Sequence, residues 1–128
     1  KQKIDPYFEK NQFIVAIGRL TKQKNFKFLI NCFQKLTNSQ PNLKLVILGD
    51  MLELGAEGPA EHQKILDFVR EHKLKLLTVG QIFREIDANG YAHVEDLKEQ
   101  LAKDQIQDKL ILLKGSRGIA LEKLMDCL

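Results

Sequence analysis

The chain has 128 residues, of which 44% are hydrophobic and 29% charged, and its formal net charge is +3. This length suits one ordinary domain and allows a sheet covered by helices on both faces. No apolar run approaches the roughly 20 residues of a membrane span, and the charged residues 1–10 lack the apolar core of a signal peptide, so we expect a cytoplasmic protein without a membrane partner.

The charges are unevenly distributed along the chain. Residues 1–48 hold nine basic and two acidic residues, whereas residues 49–128 hold eleven basic and fifteen acidic residues. A basic half can indicate a surface for phosphate or nucleic acid. Its lysines are not interleaved with exposed aromatic residues, so we expect no nucleic-acid partner. Cys32 and Cys127 lie far apart without metal-ligand spacing, so we expect both to be reduced and no metal to be bound.

In the first part of the chain, apolar runs alternate with a helical pattern. Phe13–Ile17 is a continuous apolar run that ends at Gly18, which is typical of a strand buried on both faces. An apolar stripe at helical spacing then predicts a helix from about Asn25 to Leu36. Turn residues at 39–42 precede the run Leu43–Leu48, which we predict to be the second buried strand.

The same alternation continues to the end of the chain. Pro59 suits the first turn of a helix that we expect to end near residues 72–73. Further predicted elements are a strand at 74–79, a short helix at 81–86, a turn at 87–90, a short strand at 91–93, a helix through Val94, Leu97 and Leu101, a strand at 110–113 and a closing helix at 119–128. Strands separated by such helices require right-handed crossovers. The sequence therefore predicts an α/β, three-layer, doubly wound, mostly parallel Rossmann-like sheet in a single domain spanning residues 1–128.

Three loops follow predicted strands at one edge of this sheet, at residues 18–25, 49–58 and 114–118. Ligands bind beyond the carboxyl ends of parallel strands, so these loops are the candidate site. The first loop carries Arg19 and Lys24 just before a helix N-terminus, where both charges and the helix dipole favour an anion. The alternative interpretation is a solvated basic loop.

The first of two family likenesses covers Phe13 to Gly49. Its GRL, KN and PNLKLVILGD phrases, in that order, resemble the nucleotide-sugar half of GT-B glycosyltransferases. The resemblance implies that Arg19 and Lys24 hold the diphosphate of a sugar donor. The acidic motif of that family, with two glutamates seven residues apart, does not occur here.

The second likeness covers residues 50–128. The phrases LGDMLELG, EH, TVG and LLKGSRG occur in order, and together they resemble the C-terminal domain of the MurF ligases. That family uses ATP to add D-alanyl-D-alanine to a peptidoglycan precursor. The resemblance implies that Lys114, Ser116 and Arg117 contact the dipeptide or an acyl phosphate. From the residues alone, Ser116 can equally be a helix cap and Arg117 a surface ion pair.

Four residues in and after the second loop are interpreted as structural: Gly49, Asp50, Glu53 and His62. Asp50 and Glu53 are paired acids, which can suggest Mg²⁺ binding or general-base chemistry. The resemblance implies a mainly architectural loop, so we expect a structural role for both. His62 can orient a loop or shuttle protons, but we expect a position on the helix surface.

Two missing motifs complete the functional interpretation. No GxxxxGK[ST] phosphate loop occurs, and the DSYNANP-like phrase that opens the MurF domain is replaced by residues 18–25. We therefore predict a recombined, engineered domain joined near Gly49, without complete activity and not an enzyme as an isolated chain. The alternatives are an excised domain that closes over ATP in a MurF-like ligase, or a weak binder of phosphate or nucleotide diphosphate. We expect no bound cofactor, since ATP and a nucleotide sugar are implied only by resemblance.

Overall fold

A computed structural model describes residues 12–16, 23–35, 44–107 and 109–128, apart from the side chains of residues 12–16, 23–26, 53 and 117. Its strands are β1 (Gln12–Ala16), β2 (Lys44–Gly49), β3 (Lys75–Val79) and β4 (Leu110–Lys114). Each end lies within one residue of the prediction. The bounds agree because a strand that is buried on both faces has a continuous run of apolar residues in its sequence.

The four strands form one parallel sheet in the order β1-β4-β2-β3. Strand β4, which comes last in the chain, lies between β1 and β2. In its register, Lys114 is opposite Ala16 on one side and Leu48 on the other. The two strands of the N-terminal portion are therefore joined only through a strand from the C-terminal portion.

Helices cover both faces of the sheet. They are α1 (Gln23–Lys35), α2 (Gly58–Glu71), α3 (Gln81–Ile86) and α4 (Val94–Lys103). Helices α1, α2 and α3 share one core cluster with the sheet residues Val46, Leu48 and Leu112. Helix α4 and the C-terminal segment share the other cluster with Leu45, Ile47, Ile111 and Leu113. The predicted α/β, three-layer, Rossmann-like class is confirmed.

The alternation of these residues follows from strand geometry, because successive side chains of a strand point to opposite faces. The chain moves from β2 to β3 over the first face and returns from β3 to β4 over the second. Crossovers of one hand require this change of face when the direction reverses.

Three predicted elements differ in the structure. The loop after β2 contains a 3₁₀ segment, Leu52–Glu57, where no helix was predicted. The predicted strand at 91–93 is reduced to one bridge between Tyr91 and Val79. The predicted closing helix is two 3₁₀ segments, Arg117–Ile119 and Leu121–Cys127.

The C-terminal difference has a local cause. Ala120 lies between the two segments with φ 60° and ψ 47°, a left-handed conformation that an α-helix cannot contain. The buried Leu121 and Leu124 are three residues apart, which matches the 3.0-residue turn of a 3₁₀ helix. The same spacing also fits an α-helix, so the apolar pattern alone did not separate the two.

No helix in the described part of the chain is long and apolar enough to cross a membrane. Among the same residues both cysteines are free, and Cys32 is exposed.

Candidate functional site

The loops after β2 and β4 lie side by side at the carboxyl edge of the sheet. We call residues 50–57 the β2 loop and residues 115–118 the β4 loop. The β2 loop leads to α2 on the first face, whereas the β4 loop leads to the C-terminal segments on the second. Neighbouring strands whose outgoing chains leave on opposite faces form a crevice where ligands bind in open α/β sheets. The topology therefore places the candidate site between these two loops.

Glycines allow the backbones of the two strands to meet at this crevice. A Cβ added to Gly115 would lie 2.8 Å from Gly49 Cα, and one added to Gly49 would lie 2.9 Å from Ile119 Cγ2. Neither position has room for a side chain without movement of its neighbours. Gly49 thus has a structural role in the close contact of β2 with the chain after β4.

Asp50 connects β2 to the start of α3. Its buried carboxylate accepts hydrogen bonds from the backbone N–H groups of Ile82 (Oδ2, 2.8 Å) and Phe83 (Oδ1, 3.0 Å). These are N–H groups of the first helical turn, which have no partner within the helix. Both carboxylate oxygens of Asp50 therefore cap α3. The Asp50 backbone also contacts the β4 loop, because Ser116 N donates to Asp50 O at 3.0 Å.

The candidate Mg²⁺ site has no support among the described side chains. They contain no group of three His, Cys, Asp or Glu residues arranged to hold a metal ion. The Glu53 side chain lies outside the described part.

His62 is buried in the interior, with 0% exposure, and is not on the helix surface as expected. Its Nδ1 donates to Gly58 O at 2.5 Å, and its Nε2 accepts from Met51 N at 2.9 Å. The Phe83 ring contacts it edge-on, with ring centroids 4.6 Å apart. The charged and polar residues next to His62 in sequence suggested a solvent-exposed face. In the structure, His62 lies near the start of α2, on the side of the helix that contacts the β2 loop. His62 therefore orients that loop.

The β4 loop holds the β2 loop from the other side. Ser116 Oγ accepts a hydrogen bond of 2.7 Å from Leu52 N, and Ser116 O accepts one of 3.0 Å from Ile119 N. Lys114 is 4% exposed at the end of β4. Arg117 begins the following 3₁₀ segment, and its side chain is not described. The described contacts of Ser116 are with backbone of the same domain.

The basic residues of the first loop are not brought to this crevice by any described contact. Arg19 lies outside the described residues. Lys24 is in the first turn of α1, which begins two residues before the predicted start, and the Lys24 side chain also lies outside the described part.

A buried polar pair next to the site was not predicted. Thr78 Oγ1 donates to Asp87 Oδ2 at 2.8 Å, and Asn89 N donates to Asp87 Oδ1 at 3.2 Å. Arg70 lies 3.5 Å from the same carboxylate. The Asp-x-Asn sequence in the turn was the available signal, because Asp side chains accept from the backbone two residues later. The pair fixes the turn that carries Tyr91, whose carbonyl accepts from Gly80 N at 2.7 Å.

Comparison with known proteins finds two kinds of relative. The family model of glycosyl transferases group 1 matches residues 1–79. An uncharacterised glycosyltransferase from Methanocaldococcus jannaschii is 52% identical over 42 residues, which cover 32% of this chain and 10% of that protein.

The other relatives are ligases. The UDP-N-acetylmuramoyl-tripeptide–D-alanyl-D-alanine ligase of Buchnera aphidicola is 29% identical over 114 residues, covering 83% of this chain and 25% of the ligase. The same ligase from Rickettsia prowazekii is 29% identical over 92 residues, covering 65% and 20%. The chain spans between a tenth and a quarter of the length of these curated relatives.

Among solved structures, the MurF ligase of Thermotoga maritima in complex with ADP superposes with a TM-score of 0.60. The match covers 99% of this chain and 31% of the ligase, at 15% identity, and shows a shared fold. Both likenesses extend past Gly49. The family model ends at residue 79, and each ligase alignment is longer than the segment 50–128 can hold.

Proposed function

Through residues 1–79 the chain belongs to the family of glycosyl transferases group 1, and we propose that its 128 residues form a Rossmann-like domain without complete catalytic activity. One observation carries this proposal. The polar groups of Asp50, His62 and Ser116 at the carboxyl edge make hydrogen bonds within the domain.

Catalysis at this edge would need a side chain that can reach a substrate. A general base must lie within hydrogen-bond distance of the proton that it removes. Both Asp50 oxygens accept backbone N–H groups, and both His62 nitrogens are bonded in a position with 0% exposure. These contacts support a structural role for residues that sequence patterns associate with chemistry.

The proposal includes a recombined origin, with a glycosyltransferase-like βαβ unit joined near Gly49 to a MurF-like remainder. Two relationships support it: the N-terminal likeness to glycosyltransferases and the ligase alignments over most of the chain. The overlap of the two likenesses has a physical reason. Both parent families supply a strand, a phosphate-facing loop and a helix of the same topology at this position, so the units are interchangeable in the sheet.

A second candidate function is closure over a nucleotide or peptide substrate, as a domain of a MurF-like amide ligase. The fold match over nearly the whole chain to a ligase solved with ADP favours it. The β2 and β4 loops would then form one wall of a cleft. A single wall buries only part of a ligand, so binding by this chain alone would be weak.

Titration of the ¹⁵N-labelled chain with ATP, a UDP-sugar and D-alanyl-D-alanine, followed by amide chemical shifts, tests these functions. We expect dissociation constants no tighter than about 1 mM, and no ATP hydrolysis. Saturable shifts confined to residues 49–58 and 114–118 would favour the ligase-type role. Saturable shifts confined to residues 18–25 would favour binding of a nucleotide-sugar donor.

The Ser116→Ala variant and a distant Lys103→Ala variant provide a matched pair for this titration. If a ligand binds in the crevice, Ser116→Ala should change the ligand-induced shifts, whereas Lys103→Ala should not. Submillimolar affinity, or turnover of ATP by the purified chain, would overturn the proposal of an incomplete site.

A further inference from the structure

The buried imidazole of His62 joins the β2 loop to the start of α2. One ring nitrogen accepts a hydrogen bond and the other donates one. Nε2 accepts from Met51 N, and a backbone N–H group is always a donor. The imidazole proton therefore lies on Nδ1, which donates to Gly58 O. Only the neutral ring, in this one tautomer, satisfies both contacts.

We propose that His62 is a proton-sensitive latch that holds the β2 loop closed when neutral and releases it when protonated. Protonation of Nε2 would place two donors, the Nε2–H and the Met51 N–H, against each other at 2.9 Å. The ring has 0% exposure and packs against Phe83, so water does not solvate the added charge. The cation is accommodated only when the Met51 contact opens.

Opening of this contact reaches the candidate site directly. Met51 is followed by Leu52, whose N–H donates to Ser116 Oγ at 2.7 Å. The Leu52 side chain also lies over Gly118, with Cδ1 3.0 Å from where a Cβ would stand. Release of the β2 loop therefore separates it from the β4 loop and widens the crevice.

The elements packed against His62 also carry charged residues. Asp50, at the end of β2, is buried, but both its oxygens already accept N–H groups of α3. Glu53 belongs to the β2 loop, and its side chain is not described. Five further charged residues on these elements are exposed or half-buried: Glu57 in the β2 loop, Glu61 and Lys64 on α2, and Arg84 and Glu85 on α3. No described hydrogen bond joins any of these groups to the imidazole nitrogens.

Nuclear magnetic resonance of the full chain tests the latch. At pH 7.5, long-range ¹⁵N–¹H spectra should show the Nδ1–H tautomer for His62. Ordinary imidazoles titrate near pH 6.5. When opening is linked to the uptake of one proton, the equilibrium constant for opening rises by up to about tenfold per pH unit below that value. The protection factors of the Met51 and Leu52 amides, corrected for intrinsic exchange, should thus fall about fivefold from pH 6.5 to 5.5. Amides of β2 and β4 should keep their protection.

Two histidine variants separate the latch from general acid effects. In His62→Gln the loss of protection with acid should disappear, since a glutamine amide accepts from Met51 without titrating. In His72→Gln it should persist; His72 also bonds a carbonyl of its own helix, Phe68 O at 2.9 Å, but lies away from the β2 loop. Exposed His93 serves as an internal reference for a ring at the protein surface.

The wild-type measurements test the latch by themselves, even if His62→Gln does not fold. An Nε2–H tautomer at pH 7.5, or unchanged Met51 and Leu52 protection down to pH 5.5, would overturn the proposal. Equal loss of protection throughout the sheet would also overturn it, because it would indicate global acid unfolding.

Discussion

At the scale of single residues, Gly80 shows how closely α3 is fitted to the end of β2. Its φ is +125°, and a Cβ would stand 2.2–2.5 Å from the three carboxyl atoms of Asp50. We expect Gly80→Ala to destabilise the protein by about 2–4 kcal/mol, from backbone strain and displacement of the capping carboxylate. Urea unfolding followed by circular dichroism measures this loss.

The matched control for Gly80→Ala is Gly55→Ala. Gly55 also has a positive φ of +59°, but nothing lies within 4 Å of where its Cβ would stand. It therefore carries the strain without the clash, and Gly80→Ala should cost about 1–3 kcal/mol more. Equal losses in the two variants would mean that the Asp50 carboxylate moves aside without penalty.

The residue scale is also where sequence reasoning reached its limit. A structural role for Asp50 was implied by the resemblance of its loop to the MurF domain, but its partners Ile82 and Phe83 are over thirty residues away in sequence. Burial of His62 was not predictable, because the polar sequence around it is typical of an exposed helix face. Its partner Met51 is eleven residues away in a segment with no periodic pattern. Hydrogen bonds of this kind depend on how elements pack, and local pattern does not contain that information.

At the scale of elements, the prediction succeeded where burial is continuous and failed where backbone geometry decides. All four strands and the helices α1, α2, α3 and α4 were predicted from the sequence pattern. The 3₁₀ segments were not, because their form depends on single dihedral angles such as those of Ala120. The strand at Tyr91 was reduced to one bridge by the turn that Asp87 and Thr78 fix.

Lys44 connects the end of α1 to the start of β2. It is 1% exposed, and its Nζ donates to Gln34 O near the helix C-terminus, where a cation complements the dipole. Burial removes the ammonium from water and lowers the pKa of Lys44 below 10.5. The folded state therefore binds fewer protons than the unfolded state between that lowered pKa and 10.5.

This linkage predicts a pH dependence with a definite sign. Stability should rise with pH through that window, because the penalty for the buried charge is relieved as Lys44 loses its proton. In Lys44→Met this contribution disappears, so the gain in unfolding free energy between pH 7 and pH 10 should be smaller than in the wild type. Lys75→Met, at the exposed start of β3, is the control and should leave the gain unchanged. Identical pH dependence in the wild type and Lys44→Met would contradict the assignment.

At the scale of the whole molecule, the strand order makes the two portions of the chain interdependent. Strand β4 pairs with both β1 and β2, so the glycosyltransferase-like unit has no continuous sheet of its own. The MurF-like remainder is similarly divided, since β3 and β4 meet only through β2. Each portion therefore completes its sheet only with strands of the other, so we expect the two portions to unfold as one cooperative unit.

Leu112→Ala tests this cooperativity from the centre of β4. Leu112 is fully buried in the cluster shared with α1 and α2, so the truncation should cost about 2–5 kcal/mol. We expect hydrogen exchange of β1 and β2 amides to lose protection by the same free energy, with one transition in thermal unfolding, because both strands depend on β4. Leu76→Ala, in edge strand β3 and only partly buried against the same cluster, should cost less and preserve the single transition. If β1 amides lost protection while β2 and β3 amides kept theirs, the N-terminal strand would open independently, and the expected cooperativity would be wrong.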